Sequence, residues 1–177
     1  MSDFFGRVTG DHDPIRKLLS HIPGFSGYIE RSDRRSADKL VRDTVAHRFE
    51  ELYKRTSRLQ TDIISEGGIE YVDELEKAAL QIRIFADKIR NATYGYSGFF
   101  DAVKINEEEL AKLYAFDNAF FDVAEQIDGA LSTVEANIGN DEGIRPAIRN
   151  VVTLTREATA TFERRYEVFN GTTSSDT

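Results

Sequence analysis

Cysteine is absent from the chain, which excludes disulfides, thiolate zinc sites and thiol catalysis. A stapled secreted scaffold is therefore ruled out, and a reducing compartment is allowed. Tryptophan is missing too, and proline occurs three times. No stretch approaches the roughly 20 apolar residues that a membrane-crossing helix requires. Residues 1–7, from Met1 through Phe4 and Phe5 to Arg7, lack the apolar run of a signal peptide. A cytoplasmic, non-spanning protein is expected. Basic charge is also in short supply: the formal net charge of -8 opposes nucleic-acid binding, which needs a surface that neutralises phosphates.

Heptad-spaced apolar residues dominate what is present. The chain has 177 residues, 40% of them hydrophobic and 31% charged, a balance that suits one globular domain with solvated helical faces. Four seams follow a three-four alternation. The first reads Ala37, Val41, Val45, Phe49, Leu52, Thr56, Leu59, Ile63, and the second Val72, Leu75, Ala79, Ile82, Ala86, Ile89, Thr93. The third reads Leu110, Leu113, Asp117, Phe120, Ala124, Ile127, Leu131, Val134, Ile138, and the fourth Ile144, Ile148, Val151, Thr155, Ala158, Phe162, Arg165, Phe169. Such stripes bury only against other helices. Leu40, Phe85, Phe121 and Val152 widen them, as a bundle requires.

Breakers separate the seams at Gly67-Gly68, at Tyr94 to Gly98 and at Gly139 to Asp141. Asn106, followed by three glutamates, is a capping start signal. Pro146 is expected within the first turn of its helix. Asp13-Pro14 opens a short helix that Pro23 stops. The expected fold is all-α: an antiparallel up-down-up-down four-helix bundle with a short N-terminal helix. Its parts are an arm over 1–31 with a helix at 14–22, a bundle over 32–170 and a flexible tail at 171–177. The bundle helices span about 33–65, 69–93, 107–138 and 142–169. The heptad pattern resembles spectrin-type and stress-response coiled-coil proteins in general pattern alone, which carries no function.

Enzymatic and metal-site signatures are not found. A di-iron bundle needs Glu-x-x-His on two helices, but Thr9, Leu18 and Thr44 stand three residues before the three histidines. His47 with Glu50 and Glu51 reads as a solvated helix face. There is no Gly-x-Ser-x-Gly turn and no phosphate-cradling glycine loop. No cofactor is expected.

Two local features invite a functional reading. Phe25, Tyr28, Tyr94, Tyr96, Phe99 and Phe100 sit among glycines in segments that an up-down topology brings to one end of the bundle, with Arg31, Arg34 and Arg35 nearby. They either plug the open end or form a partner-binding surface, since aromatics with arginine make up binding hot spots. The other feature is Asp117, an acid on a seam. Either it pairs in the core with Arg83, fixing register, or Phe116 takes the core place and Asp117 sits at the boundary.

Charge is segregated as well. Residues 31–58 carry nine basic and five acidic side chains, and 101–142 carry eleven acidic and two basic. In a simple bundle the first and third helices are diagonal, so these ridges face apart; both are also explained as solvated faces. The N-terminal apolar residues Phe4, Phe5, Val8, Ile15, Leu18, Leu19 and Ile22, beside Arg16 and Lys17, allow peripheral membrane contact. The expected function is a non-enzymatic helical adaptor or scaffold that binds a protein partner or itself. The alternatives are a peripheral membrane protein and a small-ligand or metal-binding bundle.

Overall fold

The computed structural model describes residues 14–30, 34–92 and 107–172. The protein is all-α, and the described residues contain no strand. Two short helices, α1 (Pro14–His21) and α2 (Phe25–Glu30), precede α3 (Arg34–Ser65). A 3-10 turn at Ile69–Tyr71 leads into α4 (Val72–Asn91), followed by α5 (Glu107–Ala136) and α6 (Asp141–Thr172).

The ends follow local chemistry. Gly67 adopts φ +85°, a conformation costly for any residue with a Cβ. Its N–H donates to the Ile64 carbonyl and that of Gly68 to the Ile63 carbonyl, a Schellman closure of α3. The short helix expected at 14–22 ends at His21 ahead of Pro23, and the chain restarts as α2, which apolar spacing did not suggest. Pro146 departs from expectation. With α6 beginning at Asp141, the proline lies in the second turn, and the bond its N–H would have given to the Glu142 carbonyl is forgone. The helix expected to end near 169 runs to Thr172.

The four seams point inward. Every position of the first is buried, from Ala37 to Ile63. In the second, Leu75, Ala79, Ile82, Ala86 and Ile89 are buried, and Val72 is half-buried. The third buries Leu113 to Val134 at each seam position, and the fourth buries all from Ile144 to Arg165 except the half-buried Phe162. Thr93, and the side chains of Leu110 and Phe169, fall outside the described residues.

At mid-height each long helix contributes one phenylalanine to a shared layer. Phe85 of α4 lies 4.3 Å from Phe49 of α3, 5.6 Å from Phe120 of α5 and 6.1 Å from Phe162 of α6, ring centre to ring centre. These separations favour aromatic contact.

Helix neighbours differ from expectation in one respect. Extensive packing joins α3 to α4, α5 to α6, α4 to α6 and α3 to α5. The basic face of α3 therefore meets the acidic face of α5 instead of lying diagonal to it. Arg55 donates to the Asp128 carboxylate at 2.7 Å, to Ser132 at 2.9 Å and to Glu135 at 3.0 Å, and Arg48 approaches Asp128 at 3.4 Å. Opposite charges arranged as a network on adjacent helices stabilise more than isolated surface pairs.

Two substitutions check the core assignment. Phe85→Ala empties the centre of the ring layer and is expected to cost about 3 kcal/mol or more in chemical denaturation. Ile84→Ala, one residue away but exposed, is expected to stay within about 0.5 kcal/mol of wild type. Equal effects would contradict the inward direction of the α4 seam.

Candidate functional site

Adjoining the phenylalanine layer is a buried layer of four charges. Asp38 and Arg42 come from α3, Asp117 from α5 and Arg165 from α6, and all are almost fully enclosed. Asp38 stands one turn before Arg42, the spacing at which an acid and a base on one helix meet. The Arg42 Nε donates to Asp38 Oδ2 at 2.8 Å. Its Nη1 donates to the Arg90 carbonyl at 3.1 Å, one of the carbonyls left over in the last turn of α4 and a favourable place for a cation.

Arg165 is the largest fully buried side chain and has no exposed surface. Its Nη2 lies 2.7 Å from Asp117 Oδ1 and 3.3 Å from Asp38 Oδ1. Two acids and two bases balance in number, and the layer carries one net positive charge while the Asp117 carboxyl holds its proton. All four long helices are joined by it, α4 through a backbone carbonyl. Next to it, Asn118 donates to the Pro14 carbonyl at 2.7 Å and so holds the start of α1 against α5.

The carboxyl of Asp117 is unusual. The contact with Arg165 is close but not aligned as a hydrogen bond, and among the described residues neither carboxyl oxygen receives a hydrogen-bond donor. Burial, reinforced by the negative charge of Asp38, pushes this group well above the usual aspartate range, while Arg42 opposes the rise. Burial also brings the Arg165 guanidinium down to about 10, with Asp38 holding it up, so it remains cationic at neutral pH.

The anticipated partner of Asp117 is thus corrected. Arg83 is exposed and lies over the Tyr53 ring at 5.8 Å, on the outer surface. Asp117 occupies the core place, Phe116 is half-buried, and the pairing cation is Arg165. Asp38 and Arg42 were missed because charged residues flanking a seam read as solvated. Their i, i+4 spacing beside the small Ala37, with two charges already on other seams, was the available signal.

Of the aromatic cluster, Phe25 is fully buried and meets the Tyr114 ring edge-on at 5.6 Å. It is a core residue of the N-terminal arm. The side chains of Tyr28, Arg34 and Arg35, and all of Arg31, Tyr94, Tyr96, Phe99 and Phe100, lie outside the described residues. The apolar face of α1 is engaged as well: Ile15, Leu18 and Ile22 are buried, His21 stacks on Phe121 at 4.7 Å, and Lys17 pairs with Asp122 at 2.7 Å.

Beside α1 lies an open cleft of about 230 Å³ lined by residues that include His21, His47, Arg48, Glu51 and Glu125. His47 is exposed and only approaches Glu50 and Glu51, at 4.0 and 3.8 Å. Among the described residues, no three His, Asp or Glu side chains are placed to hold a metal ion. No described helix is long and apolar enough to cross a membrane.

Four large apolar residues remain exposed among the described residues: Ile64, Ile69, Leu80 and Ile84. Leu80 and Ile84, at 52% and 45% exposure, are one turn apart on the outer face of α4. Their i, i+4 spacing off the seam was visible in the sequence and went unused. In comparisons with protein-family models, with curated proteins and with solved structures, nothing matches this chain.

Removing one member of the buried layer strands the rest. Arg165→Met is expected to lose about 3 kcal/mol or more, and Arg165→Met with Asp117→Leu to regain most of that. Equal losses in the two variants would contradict the pairing. The raised Asp117 carboxyl also sets a sign. The folded state keeps this proton above the pH at which the unfolded chain releases it, so stability falls as pH rises through that window. Asp117→Asn should flatten that part of the curve, read by denaturant midpoints at several pH values.

Proposed function

We propose that the protein is a non-enzymatic helical scaffold that acts through protein–protein contacts and self-association, as a cytoplasmic protein. Its frame, on this reading, is a four-helix bundle in which successive helices alternate in direction. Residue pairings favour this: early α3 meets late α4 (Arg42 with the Arg90 carbonyl) and late α3 meets early α4 (Gln60 with Glu76). Phe120 of α5 and Phe162 of α6 share a layer, as do Asp117 and Arg165, which is an opposed pairing. Contacts of α3 with α5 advance together, so the ring order runs α3, α4, α6, α5, and every helix has one antiparallel and one parallel neighbour.

One observation carries the scaffold reading. Leu80 and Ile84 stay exposed on a helix whose opposite face is fully packed. Exposed apolar residues grouped on one face mark contact sites more often than scattered ones do. The membrane alternative loses ground because Ile15, Leu18 and Ile22 of its segment are buried in the fold, while Phe4, Phe5 and Val8 lie outside the described residues. For the ligand alternative, two clefts among the described residues are open and lined in part by charged side chains.

Leu80→Ser/Ile84→Ser tests the reading. Stability should change by less than about 1 kcal/mol, because both side chains are exposed. Association, followed by sedimentation velocity and by capture of partners on the immobilised chain, should be lost. Unchanged association in both assays would contradict the proposal, and co-sedimentation with anionic liposomes would favour the membrane alternative.

A further inference from the structure

The outer face of α4 carries a charge pattern that selects an occupant. An α-helix turns 100° per residue. With the midpoint of Leu80 and Ile84 facing outward, Lys77 and Lys88 fall on one flank, and Glu76 and Asp87 on the other. Contacts to the neighbouring helices identify the flanks. Gln81, on the lysine flank, accepts a hydrogen bond from Thr155 of α6 at 3.1 Å. Glu76, on the acidic flank, accepts one from Gln60 of α3, and Arg83 lies over Tyr53 of α3 on the same side. Lys77, Lys88, Glu76 and Asp87 are all exposed.

We propose that this face binds the same face of a second copy, with the two α4 helices parallel about a two-fold axis running along them. This inference rests on the scaffold reading and names its partner. Such an axis sets the lysine flank of one copy against the acidic flank of the other at equal height. Lys77 faces Glu76 of the second copy, Lys88 faces Asp87, and Leu80 and Ile84 close on their counterparts.

The antiparallel alternative fails on charge. A perpendicular two-fold axis centred between Leu80 and Ile84 brings like flanks together. Lys77 then lies beside Lys88 of the second copy, and Glu76 beside Asp87. Like charges juxtaposed across an interface work against that arrangement. Asp73, exposed two turns before Leu80 on the same line, meets its own copy in the parallel pair. With two apolar side chains at the centre, the interface belongs to the small, weak class.

Sedimentation velocity of the full chain, across concentrations and at low and high salt, tests the proposal. Wild type is expected to dimerise weakly, more at low salt. Lys77→Glu with Asp87→Lys keeps the net charge and touches only exposed positions. In the parallel pair the carboxylate introduced at position 77 faces Glu76 of the second copy, and the ammonium introduced at position 87 faces Lys88. Dimerisation should then weaken about tenfold or more. Adding Glu76→Lys and Lys88→Glu reverses both flanks and should restore it. Stronger association in the two-site variant would overturn the parallel arrangement in favour of the antiparallel one. A wild type monomeric at every concentration would overturn the second-copy inference. The scaffold reading would then stand or fall separately on whether Leu80→Ser/Ile84→Ser loses captured partners.

Discussion

A fully buried arginine is the constraint on which the arrangement of helices depends. Arg165 leaves α6, crosses the core and ends between Asp117 of α5 and Asp38 of α3. Taking a guanidinium and the two acids that face it out of water is tolerable only when they meet. An axial slip of one turn, about 5.4 Å, would leave these charges stranded in apolar surroundings. Arg42 extends the constraint to α4 by binding its last turn. The apolar seams supply the driving force for burial, which has little directional preference. The charge layer supplies height.

Surface charge supplies neighbour choice in the same way. The basic residues of α3 and the acidic residues of α5 are matched across the contact between them, with Arg55 reaching Asp128, Ser132 and Glu135 together. In the proposed ring order this places α4 and α5 on a diagonal. Chain length agrees: four residues, 137–140, join α5 to α6, whereas fifteen, 92–106, are available between α4 and α5. Short connections favour antiparallel neighbours, and a long one permits a crossing. On the outside, exposed apolar residues of α4 lie between flanks of opposite sign, the pattern on which the proposed second-copy contact rests.

Much of the fold was legible because helical burial follows a period. The four seams match burial almost residue by residue, and the glycines at 67 and 139 end helices as their freedom at positive φ requires. Ring order was not legible, since heptads state that a stripe is buried but not against which helix. Charge segregation held that information, yet the diagonal assumption turned two matching faces into opposed ridges. The site was half legible. Asp117 stood out as an acid on a seam, and Arg165 was itself on a seam. Their pairing was lost because spacing along one helix does not state which cation on another helix meets an acid, and Arg83 of α4, off its seam, was chosen over Arg165 of α6, which is on one. Leu80 and Ile84 passed unnoticed because a search for inward stripes discards what lies outside them.

The buried charge layer is tested most directly by following the Asp117 side-chain carboxyl carbon through a pH titration by NMR. The account predicts a midpoint well above the ordinary aspartate value of about 3.9, because the group is enclosed and, among the described residues, receives no hydrogen-bond donor. It further predicts that Asp38→Asn lowers this midpoint by removing a neighbouring negative charge. A midpoint at the ordinary value, unmoved by Asp38→Asn, would place Asp117 in solvent and contradict the layer.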